Sequence, residues 1–224
     1  MLGWPTLAEV RRPRALLDVA ADVLGANPSA SLAAIAAAAG IGRTTLHKQY
    51  ATRQDLLAAV ATHVLDRAEE AARVASGVAG VDGETDTEPG SETVVGPGSR
   101  LDTESAAVSP GHDPASRVGC ALEVLVREFI PLGSGLAFLT RHPRFAEDLG
   151  VRRRFAVLEP AIVALVRAGQ EHHVLRADLP DWWFVRTLYA QVQVAAEGVA
   201  DGRLAPLDAP DLVLNTLVEG LGAG

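Results

Sequence analysis

The sequence predicts an all-α protein, and three observations carry that prediction. Hydrophobic residues make up 48% of the 224, Ala, Leu and Val dominate them, and aromatics are only 4%, a balance that favours packed helices over sheets. Apolar residues recur at three- and four-residue spacing in segment after segment. Gly, Pro and capping residues stand where those segments would begin and end. The length allows one large or two small domains, and two is the reading preferred here.

The first helix is expected from about Pro13, where proline suits a first turn, through Leu17, Ala20, Ala21 and Leu24, with Gly25 stopping it ahead of Asn27-Pro28. Ser31 is placed to cap a second helix with the stripe Leu32, Ile35, Ala36 and Ala39, ended by Gly40. After Ile41-Gly42 a short third helix spans about Arg43 to Gln49 and faces inward only through Leu46 and then Tyr50. Thr52, with Asp55 three residues on, forms a capping box for a long fourth helix bearing Leu57, Val60, Val64, Ala68 and Ala71 on one face.

The formal charge is −8, and it is unevenly spread. Residues 82 to 114 hold Asp82, Glu84, Asp86, Glu88, Glu92, Asp102, Glu104 and Asp113 against Arg100 alone, so this stretch carries −7 and the rest nets −1. It is rich in Gly, Pro, Ser and Thr and has too little apolar surface to offset ordering entropy, so 79–115 reads as an acidic disordered loop between helical parts.

Downstream the helical pattern resumes. Val118, Leu122, Leu125 and Phe129 form one stripe closed by Pro131, and Gly133-Ser134-Gly135 reads as a turn before a short helix from Leu136 that breaks near His142-Pro143. Phe155, Leu158, Ile162 and Leu165 form another stripe, with Pro160 either kinking the helix or marking its first turn. The segment Trp182 to Val199 is apolar nearly all round, and the last helix, about Pro210 to Leu221, carries Val213, Leu214, Val218 and Leu221. Two neighbouring helices with wide apolar faces are most economically covered by a second copy in a four-helix bundle.

The second helix, the glycine turn and the third helix together make a helix-turn-helix unit, whose second helix enters the DNA major groove. A helix meant for a groove should be polar outward and anchored by one or two apolar residues, and the third helix has that character. Arg43 can reach guanine or a phosphate, Thr44 and Thr45 thymine methyls or phosphate oxygens, and His47, Lys48 and Gln49 supply donors along the exposed side. Ser31 and Arg53 are further phosphate candidates.

At these residues the chain resembles the tetracycline-repressor (TetR) family of transcriptional regulators. The family pattern of an Ile-Ala pair, a glycine turn, a Leu-Tyr pair, an aromatic, a Lys and a Leu corresponds here to Ile35-Ala36, Gly40-Ile41-Gly42, Leu46-His47, Tyr50, Arg53 and Leu56. His47 stands where the family usually has Tyr, Gly42 where it has Ser, and Arg53 where it has Lys. The resemblance covers residues 13 to 60 well and is carried beyond residue 115 by weaker features. It implies a homodimer whose paired third helices meet successive major grooves of a palindromic double-stranded operator, with a small-molecule effector held in the C-terminal helices. The expected division is a DNA reader at 1–51, a connecting helix at 52–78, the acidic loop, and a ligand and dimerisation domain at 116–224.

For the effector site, the polar or aromatic residues interrupting apolar C-terminal faces are Phe138, His142, Phe155, Trp183, Tyr189 and Gln193. Cys120 reads as a small core residue, His172-His173 as a solvated helix end, and Arg152-Arg153-Arg154 as a solvated face, with a lining for an acidic ligand as its alternative. No catalytic set converges, and neither cofactor nor metal is expected. The longest apolar run is about half of what a membrane span needs, and a single cysteine with no apolar leader points to the cytoplasm. The competing class is a helical small-molecule carrier without operator function.

Overall fold

The computed structural model describes residues 15–81 and 113–221. Among them there are ten α-helices, one 3₁₀ turn and no strand: α1 (Leu16–Ala26), α2 (Leu32–Ala38), α3 (Arg43–Gln49), α4 (Arg53–Ala79), α5 (Pro114–Phe129), α6 (Gly133–Arg141), α7 (Pro143–Ala146), α8 (Leu149–Glu171), α9 (Asp181–Ala200) and α10 (Ala209–Leu221), with the 3₁₀ turn at Ile130–Leu132 between α5 and α6. The all-α class is as the composition predicts. Pro13 and most of the acidic stretch lie outside the described residues; its edges are helical, since Ala79 closes α4 and Pro114 opens α5.

The local signals in the first sixty residues act as their chemistry requires. Ser31 Oγ accepts from Ala34 N (3.1 Å) at the start of α2. At its end Gly40 adopts φ +68°, with Gly40 N bonded to Ala37 O (3.1 Å) and Ile41 N to Ala36 O (3.0 Å). That paired closure needs a left-handed residue, which glycine supplies without strain. Thr52 Oγ1 accepts from Asp55 N (3.1 Å) while Asp55 Oδ2 accepts from Thr52 N (2.8 Å), so both halves of the capping box are made.

Helix α4 organises the rest. Its 27 residues span roughly 40 Å, and it packs against α1, α5, α6 and α8. Leu56, Leu57, Val60, Val64, Leu65, Ala68 and Ala71 are buried along its length. Polar ties reinforce this packing. Asp18 of α1 receives His63 Nε2 (2.8 Å) and Arg67 Nη1 (2.9 Å) from α4. Burial alone would raise the Asp18 carboxyl, but the His63 hydrogen bond and the Arg67 charge outweigh it and hold the group below its ordinary 3.8. On the other flank Arg154 of α8 donates to Glu69 Oε1 (2.7 Å) and Asp66 Oδ1 (2.7 Å) of α4.

Several expectations are corrected by packing. Gly25 does not stop α1, which ends one residue later; a Cβ there would lie 2.6 Å from Ser134 O of α6. Gly133-Ser134-Gly135 is not a turn but the first turn of α6. A Cβ at Gly133 would meet Ala196 Cβ at 2.7 Å and one at Gly135 would meet Val64 Cγ2 at 2.6 Å, so these glycines let α6 approach α9 and α4. Pro160 lies inside α8, which starts at Leu149 where Asp148 Oδ1 accepts from Gly150 N and Val151 N. Cys120 is exposed rather than a core residue. In α10 the buried positions are Ala209, Pro210, Val213 and Leu217, whereas Val218 is exposed. Arg152 and Arg153 are exposed as expected, but Arg154 is the half-buried tie to α4.

Two glycine substitutions separate close approach from helix propensity. Gly25→Ala should lower unfolding free energy by about 1–3 kcal/mol, because the clash is with backbone. Gly77→Ala, in α4 with nothing within 4 Å of its Cβ position, should raise it by about 0.5–1 kcal/mol. Urea denaturation of the two variants checks both signs. The Asp18 tie adds a pH dependence: its contribution is complete above 3.8 and is lost as the pH falls through the lowered folded value, so Asp18→Asn should flatten the acid limb of the stability curve.

Candidate nucleic-acid interface and internal cavity

The polar side chains of α3 project into solvent around a single buried anchor. Leu46 is 0% exposed and Tyr50, just past the helix, packs against the core. Arg43, Thr44, Thr45, His47, Lys48 and Gln49 are all exposed. Arg43 Nε approaches His47 Nε2 at 3.5 Å, one turn apart on the same face. Between Asn27 and Gln54 the sequence holds Arg43, Lys48 and Arg53 and no acid at all, so this part of an acidic chain is locally cationic. Gly42 caps α3 through its carbonyl, which accepts from Thr45 N (2.9 Å) and Leu46 N (3.1 Å), with no side-chain hydroxyl to help.

Two further candidates are engaged within the protein. Ser31 is exposed, and its oxygen serves the α2 cap while its hydroxyl hydrogen remains free to donate. Arg53 is half-buried, and its guanidinium reaches back to the α1–α2 loop, with Nη2 donating to Pro28 O (2.6 Å) and Nη1 to Ala30 O. Its position therefore braces the segment that presents Ser31 and α2.

A cavity of about 630 Å³ opens among α6, α7, α8 and α9. Of the six residues chosen from sequence, Phe155, Tyr189 and Gln193 line it. Phe138, His142 and Trp183 do not. Phe138 is buried in an aromatic cluster with His142 (ring centroids 5.1 Å) and Phe145 (5.6 Å), and Trp183 stands exposed on the outside of α9 against Trp182. The residues that sequence reasoning passed over are Thr140, Phe145, Glu159 and Arg186, with Arg152 weighed only as part of a basic run. Arg186 and Glu159 face each other across α9 and α8 at 3.4 Å. That contact left no signal in either helix alone. The Tyr189 hydroxyl is buried without a hydrogen-bond partner among the described residues, and burial, followed by the Glu159 charge, pushes it well above its ordinary 10.0.

Among the described residues no group of His, Cys, Asp and Glu is arranged to hold a metal, and no helix is long and apolar enough to cross a membrane. An exposed cationic helix of a helix-turn-helix, held to a helical body with a cavity, is the architecture of a DNA-binding regulator. Comparison with known proteins gives the same class. The chain is 29% identical over 215 residues, covering 96% of itself and 92% of its relative, to the HTH-type transcriptional repressor LfrR of Mycolicibacterium smegmatis. A solved structure of the TetR-like regulator LfrR from Mycobacterium smegmatis in complex with proflavine matches with 28% identity and a TM-score of 0.55, over 93% of this chain and 96% of that one. The TetR-family regulator PfmR from Thermus thermophilus shares the fold at 16% identity and a TM-score of 0.54, over 93% of this chain and 96% of that one. No family model matches the chain. On the relative and the fold together, the chain is similar to the TetR family of transcriptional regulators.

Replacing Arg53 with Met should cost about 1–2 kcal/mol, since two backbone carbonyls lose a charged donor. Urea denaturation reads that cost. Substituting the exposed Gln49 by Ala should leave stability within about 0.5 kcal/mol.

Proposed function

We propose that this DNA-binding regulator is a ligand-released repressor, with α1 to α3 as the reader, α4 as the connector and α5 to α10 as the effector and dimerisation part. In sequence terms these are residues 1–51, 52–78 and 116–224, with the acidic segment 79–115 between. The observation that carries the reading is the α3 surface, where exposed donors surround one buried leucine. Arg43 and Lys48 supply charge for phosphates or guanine edges, Thr44 and Thr45 suit thymine methyls, and His47 and Gln49 add base-edge donors. Ser31 adds a phosphate donor beside them, and Arg53 holds the loop that carries it. The relative is a transcriptional repressor, which supports repression as the mode of action, and the proflavine complex of that relative supports a small molecule as the releasing signal.

A palindromic duplex requires two readers, so a second copy belongs to the proposal. Helices α9 and α10 leave apolar side chains outward: Val194 is 68% exposed, Trp182 57% and Leu212 55%. Pairing these faces would cover them and set the two α3 helices about 34–36 Å apart, one turn of DNA. Release requires that the effector bind the DNA-incompetent arrangement more tightly, by a typical coupling of about 1–3 kcal/mol.

The double variant Arg43→Ala/Lys48→Ala tests the reader. Two base or phosphate contacts at about 1–3 kcal/mol each predict a loss of roughly 100-fold or more in affinity for a duplex selected from a random pool. Fluorescence anisotropy measures the affinity and circular dichroism the fold. Unchanged affinity in a folded variant would reject α3 as the reading helix. Sedimentation tests the pairing: the wild type should run as a dimer and Val194→Glu as a monomer, and a wild-type monomer at micromolar concentration would reject it.

A further inference from the structure

The cavity between α6 and α9 has an unbalanced set of polar side chains. Its charged lining consists of Arg152, Glu159 and Arg186. Glu159 is occupied by Arg186 at 3.4 Å, whereas the Arg152 guanidinium has no ion pair or hydrogen bond among the described residues. The neutral polar lining is partly engaged. Thr140 Oγ1 donates to Leu136 O and Ala137 O (3.1 Å each), and Gln193 Nε2 donates to Glu197 Oε1 (2.9 Å). Among these lining residues, the buried polar atom with no partner among the described residues is the Tyr189 hydroxyl.

The two polar side chains of the lining with no partner among the described residues both carry donors: a guanidinium, which can only donate, and a phenol, which can also accept. The phenol stays protonated, since burial and the nearby Glu159 both disfavour its anion. A donor buried without an acceptor costs free energy until a ligand supplies one. The rest of the wall is apolar, with Phe145 and Phe155 as ring faces and Leu136, Val151 and Val192 as aliphatic surface. The volume of about 630 Å³ falls within the range of small-molecule sites.

Taking the cavity as the effector site of the regulator described above, we propose that its ligand is an amphipathic organic anion: a flat apolar body bearing one carboxylate or sulfonate. The body lies against Phe145 and Phe155, the anionic group pairs with Arg152, and a ligand oxygen accepts from the Tyr189 hydroxyl. The negative net charge of the whole chain does not oppose this, because residues 82–114 carry −7 of the −8 and the rest of the chain nets −1.

A pair of probes with one body and opposite charge tests the inference. Calorimetric titration of the full chain with 2-naphthoate and with 2-naphthylmethylammonium should show the anion bound about tenfold tighter or more. Arg152→Glu should abolish or reverse that preference, and Tyr189→Phe should weaken the anion several-fold. Arg153→Glu makes the same charge change at an exposed position outside the cavity and should leave the preference intact. Equal or tighter binding of the ammonium, binding of neither probe, or an Arg152→Glu variant that behaves like Arg153→Glu would each overturn the proposal. Selected-duplex binding measured on the same wild-type preparation separates the two readings. Retained duplex binding with no anion preference rejects the ligand class alone, and absent duplex binding rejects the regulator reading on which it rests.

Discussion

The structure depends on α4 being a single helix with both ends of its buried face occupied. Leu56, Leu57 and Val60 near its start, and Ala68, Ala71 and Ala75 further along, belong to one continuous core. The N-terminal helices are small: α2 and α3 have seven residues each, and helices of that length are not stable alone. They persist because α1 packs on α4 and α6, and because Leu46, Ile35 and Ala36 join the same apolar cluster. The charged ties follow the same axis. Asp18 binds the α4 residues His63 and Arg67 from one side, and Arg154 of α8 binds Asp66 and Glu69 from the other. Helix α8 is thus tied to the same helix whose first turn carries the Arg53 brace to the α1–α2 loop.

Helix α6 gives a second, shorter connection. It lines the cavity with Leu136, Leu139 and Thr140 and touches α1 where Gly25 leaves no more than backbone distance to Ser134. Close-packed contacts of this kind have little slack to absorb motion. Charge is segregated in the same spirit. An acidic chain has no carboxylate between Asn27 and Gln54, because its acids are concentrated elsewhere, and at physiological salt it is the short-range field that a partner at this surface would meet.

Much of this was legible in sequence where the cause is local. Ser31, Gly40 and the Thr52-Asp55 box act through near neighbours in sequence, and they bound α2 and open α4 as expected. The apolar stripe of α4 and the exposed run on α3 follow from helical period alone. What was hidden has a non-local cause. Gly25, Gly133 and Gly135 look like helix breakers, yet they serve contacts with Ser134, Ala196 and Val64 on other helices. Two of the cavity candidates fell short for the same reason: Phe138 and His142 are aromatic and well spaced, but they turn toward Phe145 and each other. Arg186 and Glu159, 27 residues apart in sequence, meet only once α8 and α9 are packed. Arg53 resembles a phosphate contact by position, and its carbonyl partners come from a loop more than twenty residues earlier.

The most direct test of the central claim, that α3 presents a sequence-reading surface, is the affinity of the wild-type protein for a duplex selected from a random pool against a scrambled duplex, at about 50 and 200 mM salt. A specific reader should bind the selected duplex about 10³-fold more tightly or better, and both affinities should fall steeply with salt. Equal affinity for the two sequences, or binding indifferent to salt, would contradict it.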